Sequence, residues 1–316
     1  INDNSSNPFF CVISYPDPHG PNNVRTPYNT MYSGNVFEAP VTYRSEGEGI
    51  PNENTGIFAP ADWTIASGGN TRTEQEVKNL IPTYYGMVKC IDDNIKKLLD
   101  KLSADGILDN TIIVFTADHG DLLGEHGREN KGQPYEASAL VPFLIRYPSA
   151  ITAHTVINTA ANNADIMDTL ISLAGINGFD YSSTSGNDLT GLIKGTEIQP
   201  TINGIALNGI TYSTLNNWYG AFSDRFKLIL EKPSGSIKKI PWLIDLEFDA
   251  NEITNFIDPS TGKAQSGYKA IAKTLAEKLK NYCSGHVTIE SNVLEQLDLL
   301  INDNINSDTS ILSAED

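Results

Sequence analysis

The spacing of apolar and polar positions along the chain predicts an α/β protein. A first apolar run, residues 7–15, is typical of a buried strand and ends in a turn rich in proline and glycine. Apolar positions at helical spacing then extend from residue 77 to about residue 104, behind Thr73-Glu-Gln-Glu76, which has the form of a capping box. Because Pro82 lies inside this pattern, we expect the helix to kink or split there.

Strand and helix signals alternate after this helix. Asp105-Gly106 should end it, and the apolar run at residues 111–117 indicates a strand buried on both faces. A further strand is predicted at 140–146, and a helix with a glycine stop at 165–175. Since a helix followed by a strand is half of a βαβ unit, we expect an α/β fold with a mostly parallel central sheet and flanking helices.

From about residue 202 the pattern changes to short strands, predicted at 202–207, 218–222, 226–230 and 241–246. Turn residues between the last three indicate a smaller C-terminal antiparallel sheet, with a helix at 268–282 packed on it. An amphipathic stretch at 293–301 follows, then polar residues of disorder-prone composition. The chain is therefore divided into an α/β part, a sheet-and-helix subdomain and an acidic tail: residues 1–211, 212–286 and 287–316.

Composition and charge narrow the classes of partner. The chain has 316 residues, 40% of them apolar, and no apolar run approaches the ~18 residues that a membrane span needs. A net charge of −17 argues against nucleic acid, because neutralising phosphates requires a basic surface. Cys11, Cys90 and Cys283 are odd in number and widely spaced, so we expect buried thiols and no disulfide framework. The chain opens without Met or a signal-like segment, and we expect a start inside a longer gene product.

The densest chemistry comes directly after the strand at 111–117. Asp118 and His119 follow at once, where a parallel strand would end and where open α/β sheets bind ligands. Further charged or imidazole side chains come soon after, among them Asp121, Glu125, His126, Arg128 and Lys131. This combination suits a metal ion and an anionic substrate. The glycines at 120, 124 and 127 are expected to serve tight turns, since their spacing is not that of a nucleotide loop.

Several blocks, in this order, resemble the sulfatase family of the alkaline-phosphatase superfamily. The resemblance spans roughly residues 7–256, and the branch with choline sulfatases and phosphonate monoester hydrolases is the most similar. The blocks that carry it are Pro18-His19-Gly-Pro21, Ile91-Asp-Asp-Asn-Ile95, Phe115-Thr-Ala-Asp-His-Gly-Asp-Leu-Leu-Gly-Glu-His-Gly127 with Lys131-Gly132, Asp165-Ile-Met-Asp-Thr-Leu and Trp242-Leu-Ile-Asp-Leu. Residues 1–211 then correspond to the C-terminal part of the family's catalytic domain.

The resemblance implies roles for the candidate residues. Asp118 and His119 would ligate a divalent metal, with Ca²⁺ preferred and Mg²⁺, Mn²⁺ or Zn²⁺ as alternatives. His19 and Lys131 would bind the sulfate ester and act in catalysis.

Four neighbours would shape the loop or hydrogen-bond to the metal ligands: Asp121, Glu125, His126 and Arg128. Glu136 is expected to be a buried partner of the backbone or of Lys131. His154 and His286 have no supporting neighbours in the sequence and are interpreted as structural.

One part of the family pattern is missing from these 316 residues. Family members carry two metal-binding aspartates near their start and a Cys/Ser-x-Pro/Ala-x-Arg motif, whose Cys or Ser becomes the formylglycine nucleophile. None of the three cysteines here has the required Pro and Arg. We therefore expect an alkaline-phosphatase-like fold without its N-terminal part, from a metal-dependent sulfuric ester hydrolase that is inactive as this chain alone.

Alternatives remain at the level of sequence. The same site would serve a phosphodiester or phosphonate monoester hydrolase, since it can stabilise either tetrahedral centre. A non-catalytic anion-binding or assembly module would also lack the nucleophile. A sheet deprived of its first strands exposes an edge, so homo-oligomerisation or pairing with the upstream segment is expected. Loops such as 22–72 would recognise the alcohol. Localisation is undecided, with the periplasm or secretion slightly favoured by the resemblance.

Overall fold

The computed structural model describes residues 7–43, 72–197, 218–231 and 240–303, together with the backbone of three short strands between 201 and 215. The chain divides into two compact units. The first contains the described residues up to Pro40 and from Arg72 to Asp109, and the second contains the others. Across the described residues, no helix combines the length and the apolar character that crossing a membrane requires.

The main element of the first unit is helix α1 (Glu74–Ala104). The predicted capping box is confirmed: Thr73 Oγ1 accepts from the Glu76 N–H at 3.3 Å, and the Thr73 N–H donates to the Glu76 carboxylate at 2.8 Å. The helix ends at Asp105 and Gly106, as predicted, with Gly106 at φ +70°. It continues through Pro82 without splitting, because buried Val77 and Met87 fix the helix on either side of the missing N–H.

The predicted strand at 7–15 is not observed. The structure assigns these residues to no strand, and Phe10 and Val12 are 83% and 75% exposed. A strand needs a neighbour for its N–H and C=O groups, and no strand is described in the rest of this unit. Cys11 is exposed as well, so the expectation of buried thiols holds for Cys90 and Cys283 only.

The second unit begins, after a 3₁₀ turn at Leu108–Asn110, with two of the predicted strands. Strand β1 (Ile113–Thr116) pairs with β2 (Phe143–Arg146), and Ile113 lies opposite Arg146. The pair is antiparallel, as are all the strand pairs in the part of the chain that the structure describes, so the predicted parallel sheet is not observed there. A parallel pair needs a crossover, usually a helix. Here the connection contains only the 3₁₀ turn Glu125–Gly127 and the four-residue helix α2 (Glu136–Ala139).

Two helices lie between β2 and the C-terminal strands. Helix α3 (Asp165–Leu173) is followed by Gly175 at φ +68°, as predicted, and by the 3₁₀ turn Tyr181–Ser183 and the short helix α4 (Thr190–Ile193). Leu173, Leu189 and Ile193 are buried in one apolar cluster with Phe143 and Ile145 of β2. These helices therefore pack against β2, the strand that follows the candidate loop in the chain.

The C-terminal sheet confirms the predicted meander. Strands β3 (Thr201–Ile202) and β4 (Ile205–Ala206) form a separate pair, and four strands then follow in sheet order: β5 (Thr211–Leu215), β6 (Trp218–Phe222), β7 (Phe226–Glu231) and β8 (Trp242–Asp245). The pattern missed β5. Helix α5 (Lys269–His286) packs on the sheet as predicted. Helix α6 (Ser291–Ile301) was assigned to the acidic tail, yet Val293, Leu297 and Leu300 are buried in the same core.

The two faces of this sheet have different coverings. Leu228 and Leu230 of β7 lie in the cluster formed with α5 and α6. Ile229 lies in a second cluster with Leu122 and Tyr135, which belong to the connection between β1 and β2. Alternate side chains of a strand point to opposite faces, so this sheet is the base on which the candidate loop rests.

Candidate functional site

Asp118 and His119 lie directly after β1, as predicted, and their side chains come together. Asp118 Oδ1 accepts a hydrogen bond from the His119 N–H at 3.0 Å. His119 Nδ1 lies 2.7 Å from the Gly120 carbonyl oxygen, and a carbonyl only accepts, so Nδ1 carries a proton. His119 Nε2 then faces Asp118 Oδ2 at 3.3 Å. In the neutral imidazole, Nε2 and Oδ2 each present a lone pair to the other. A cation or a second proton between the two atoms would stabilise this arrangement.

This donor set fits a divalent cation. The Asp118 carboxylate is 86% exposed, so a cation can reach it without any movement of the surrounding chain. A carboxylate oxygen suits Ca²⁺ or Mg²⁺, and the imidazole nitrogen also admits Mn²⁺ or Zn²⁺. Among the described residues, no group of three or more His, Cys, Asp or Glu side chains could hold a metal. The described part of the chain therefore offers two candidate ligands, fewer than a hard cation requires.

Asn163, which the sequence did not single out, holds the backbone around Asp118. Its Nδ2 donates to the carbonyl oxygens of Ala117 and Asp118, both at 3.1 Å. The loop that carries Asn163 is fixed by buried Asp165, whose Oδ2 accepts from the Asn162 N–H at 2.8 Å. The other oxygen of Asp165 accepts from the Asn187 N–H at 2.7 Å. The end of β1 is thus attached to the start of α3.

Ser138 in α2 joins the two ends of the loop. Its carbonyl accepts from the Gly120 N–H at 2.8 Å, and its Oγ accepts from the Gly132 N–H at 3.2 Å. A Cβ on Gly120 would lie 2.0 Å from the Ala137 carbonyl oxygen, so this glycine is required by close approach and not by a turn. Lys131, half-buried, immediately precedes Gly132. One short helix therefore anchors the backbone beside both His119 and Lys131.

The loop between these anchors is closed by its own hydrogen bonds. The Leu122 N–H donates to the Asn130 carbonyl at 2.9 Å, and the Gly124 N–H donates to the Arg128 carbonyl at 2.7 Å. Asp121 Oδ1 accepts from the N–H groups of Leu123 and Asn130, both at 3.1 Å. Gly124 has φ +95°, which confirms its predicted turn role. The Asp121 carboxylate thus shapes the loop, one of its two predicted roles.

The loop's other predicted residues are partly or fully buried. His126 stacks on Tyr135 with ring centroids 3.6 Å apart, and its N–H donates to Thr42 Oγ1 at 3.3 Å. Arg128 is buried, and burial raises the pKa of the Glu125 carboxyl above its ordinary value. The stacked Tyr135 in turn packs with Trp218 and Trp242 of the C-terminal sheet, which connects the loop to that sheet. Hydrogen bonding from these three side chains to the metal ligands stays a prediction.

His19 belongs to the first unit, in an exposed turn. Its Nδ1 lies 2.8 Å from the Gly20 carbonyl oxygen, and its N–H donates to the Pro16 carbonyl at 3.1 Å. Its role toward sulfate stays a prediction, as does that of Lys131. His154 is exposed at φ +63°, and the side chain of His286 lies outside the described residues.

Glu136 has a different partner from the one expected. Lys227 of β7, fully buried, places its Nζ 2.9 Å from Glu136 Oε1 and 2.5 Å from Glu252 Oε1. Glu252 Oε2 also accepts from the Glu136 N–H at 2.6 Å. Burial raises the pKa of Glu252, and the Lys227 ammonium opposes that rise. The available sequence signal was a lysine inside an otherwise apolar strand, Phe226-Lys-Leu-Ile-Leu230.

Family models match most of the chain. The model described as "Sulfatase" matches residues 1–176. A second, described as "N-sulphoglucosamine sulphohydrolase, C-terminal", matches residues 124–284.

Curated relatives give the same result. An arylsulfatase of Clostridium perfringens is 30% identical over 291 residues, which are 89% of this chain and 56% of the relative. An N-acetylglucosamine-6-O-sulfatase of Bacteroides thetaiotaomicron is 43% identical over 93 residues, 29% of this chain and 17% of the relative. A choline-sulfatase of Rhizobium meliloti is 28% identical over 62% of this chain and 37% of the relative. The chain thus spans about half the length, or less, of the curated relatives it matches.

Solved structures support the fold. BT4656, solved in complex with its substrate D-glucosamine-2-N,6-O-disulfate, superposes with a TM-score of 0.62 at 21% identity, over 91% of this chain and 66% of that one. The phosphonate monoester hydrolase of Agrobacterium radiobacter gives a TM-score of 0.61 at 23% identity, over 86% and 56%. Since the first family model covers more than half of its length, the chain belongs to the sulfatase family.

Proposed function

We propose that this chain forms the metal-binding and sulfate-binding part of a metal-dependent sulfuric ester hydrolase. The observation that carries the proposal is the Asp118–His119 pair. Its imidazole is fixed with Nδ1–H on the Gly120 carbonyl, and its Nε2 faces the Asp118 carboxylate at 3.3 Å. A backbone acceptor that fixes the tautomer of a metal-binding histidine is a common feature of metal sites.

Each residue has a role in this proposal. Asp118 and His119 hold a divalent cation, Ca²⁺ preferred, which when bound would stabilise negative charge on the ester oxygens. Lys131 attracts a sulfate oxygen as a compact point charge. His19 hydrogen-bonds to the ester or protonates the leaving oxygen. The nucleophile is not assigned to this chain, because none of its cysteines lies in a Cys-x-Pro/Ala-x-Arg motif. We therefore expect no sulfatase turnover from these 316 residues alone.

The test compares two aspartate variants of the protein expressed from its full gene. Asp118→Ala should lower kcat for 4-nitrophenyl sulfate by about 10²–10³-fold, the loss typical of removing one charge-stabilising group. It should also abolish Mn²⁺ binding, followed by the electron paramagnetic resonance signal of the unbound ion. Asp100→Ala removes another exposed carboxylate, paired with Lys96 on α1, and should change neither quantity. Normal kcat and Mn²⁺ binding in Asp118→Ala would remove this pair from the site.

A second candidate is hydrolysis of phosphonate monoesters or phosphodiesters. The fold likeness to a phosphonate monoester hydrolase favours it, and a cation with an ammonium group stabilises either tetrahedral centre. Rates for the 4-nitrophenyl sulfate and the 4-nitrophenyl phenylphosphonate decide between the two activities. A third candidate, a non-catalytic anion-binding module, requires that neither ester is hydrolysed while sulfate still binds.

A further inference from the structure

Two side chains at the candidate site, Asn163 and Ser138, form hydrogen bonds to two different segments of the backbone. Asn163 of the loop before α3 bonds to the backbone around Asp118. The hydroxyl of Ser138 in α2 bonds to the backbone beside Lys131. We propose that Asn163 positions the metal-binding pair and that the Ser138 hydroxyl independently positions the sulfate-binding lysine. This inference rests on the proposed function.

The geometry at Asn163 explains how it would act on Asp118. The Ala117 carbonyl belongs to the peptide plane before the Asp118 Cα, and the Asp118 carbonyl belongs to the plane after it. Holding both oxygens at 3.1 Å on one amide nitrogen restricts the two backbone dihedrals of Asp118, and so the direction in which its Cβ points. The second plane also carries the His119 N–H that donates to Asp118 Oδ1. One amide group therefore orients both ligands without touching the metal.

Asn163 is itself held firmly enough for this role. The N–H of the preceding residue, Asn162, donates to Asp165, which is 1% exposed. The other Asp165 oxygen accepts from both the N–H and the side-chain amide of Asn187, at 2.7 and 3.1 Å. The orientation of the pair thus depends on a buried carboxylate at the start of α3.

Ser138 contacts both halves of the site, but through two different groups. Its carbonyl supports Gly120, next to His119, while its hydroxyl supports Gly132, next to Lys131. Replacing Ser138 with Ala removes the hydroxyl bond and keeps the carbonyl bond. Gly132 has φ +95°, so the Lys131–Gly132 peptide would lose a support at a point of high backbone freedom. The substitution should therefore disturb the lysine and spare the metal pair.

The experiment measures two affinities in the protein expressed from its full gene. Mn²⁺ binding is followed by electron paramagnetic resonance, and binding of inorganic sulfate at saturating Mn²⁺ is followed by calorimetry. Asn163→Ala should weaken Mn²⁺ binding about 10- to 100-fold, as for other groups that orient metal ligands, and change the sulfate Kd little. Ser138→Ala should leave the Mn²⁺ Kd unchanged and weaken sulfate binding by up to about tenfold, the upper value of one neutral hydrogen bond.

Asn162→Ala is the matched control for Asn163. It removes a hydrogen bond in the same loop, which the Ala164 N–H donates to Asn162 Oδ1 at 2.8 Å, without removing the bonds to Ala117 and Asp118. It should leave both affinities unchanged. Since Ser138 is buried, Ser138→Cys is a second variant that keeps the shape, weakens the acceptor and should show the same selectivity.

The outcomes are distinguishable. Parallel losses of both affinities in Asn163→Ala and Ser138→Ala would overturn the inference, because a general loss of structure has no such selectivity. An unchanged Mn²⁺ Kd in Asn163→Ala, or an equal loss in Asn162→Ala, would overturn it too. If Asp118→Ala itself leaves Mn²⁺ bound, the proposed function fails, whereas loss in Asp118→Ala without loss in Asn163→Ala rejects the positioning role alone.

Discussion

Removing the ammonium group of Lys227 should destabilise the second unit in a way that depends strongly on pH. Lys227 is completely buried between Glu136 and Glu252. The Glu136 side chain is 31% exposed and keeps contact with water, but that of Glu252 is 3% exposed and loses its cationic partner. In Lys227→Met, Glu252 must therefore either remain a buried charge or take up a proton.

Protonation sets the upper limit of the loss. Neutralising a carboxyl whose ordinary pKa is 4.5 costs about 1.4 kcal/mol for each pH unit above that value. The limit is therefore about 3.4 kcal/mol at pH 7 and about 0.7 kcal/mol at pH 5, and the first figure agrees with losses seen on breaking buried ion pairs. The sign follows from linkage: the pKa of Glu252 is raised in the folded state, so the folded variant binds more protons and loses stability as pH rises above 4.5.

Urea unfolding followed by tryptophan fluorescence measures this effect, since Trp218 and Trp242 are buried in the sheet. We expect Lys227→Met to lower the free energy of unfolding by about 3 kcal/mol at pH 7 and by less than about 1 kcal/mol at pH 5. The double variant Lys227→Met/Glu252→Gln lacks the buried charge and should regain most of the loss at pH 7. Equal losses at the two pH values, or no recovery in the double variant, would refute the reasoning.

Two further predictions concern the candidate loop. Gly120→Ala places a Cβ 2.0 Å from the Ala137 carbonyl, so we expect a loss of about 1–3 kcal/mol in urea unfolding and weaker Mn²⁺ binding. Gly285→Ala, where a Cβ has open space, is the control, and a normal Mn²⁺ Kd in Gly120→Ala would contradict the expectation. Glu125→Gln should raise the melting temperature more at pH 7 than at pH 4, because a carboxyl with a raised pKa destabilises the fold once it ionises. An equal rise at both pH values would show that burial of the charged Glu125 carboxylate does not cause the effect.

Elements whose signal lies within their own sequence were predictable. The capping box at Thr73 and the glycine after α3 depend on residues a few positions apart, and the structure confirms both. The meander of β6, β7 and β8 also follows from turn residues in the sequence between short apolar runs. In these cases local hydrogen bonding and side-chain spacing decide the structure.

Strand partners were not predictable in the same way. The run at 111–117 has the composition of a strand buried on both faces, and Phe115 is nevertheless 38% exposed in an antiparallel pair. An apolar run indicates that a segment favours burial, but it does not indicate which strand pairs with that segment. The residues at 7–15 show the same limit, because they carry strand composition without a described neighbour.

The candidate site shows why some of its residues were visible in the sequence and others were not. Asp118, His119 and Lys131 are recognisable because their side chains have the chemistry of cation and anion binding and lie close together in the sequence. Asn163 and Ser138 act on backbone groups, which every residue possesses. Nothing at Ala117, Asp118 or Gly132 therefore indicates a partner that lies 46, 45 or 6 positions further along the chain.

Contacts of this kind become visible only when the fold brings the segments together. The buried group that fixes Asn163 is Asp165, and its sequence signal is that of an ordinary acidic residue in the first turn of a helix. A residue that binds a ligand must have one particular chemistry, whereas a residue that orients a backbone carbonyl needs only a donor at the right distance. The sequence therefore predicts the chemistry of this site better than the contacts that hold its groups in position.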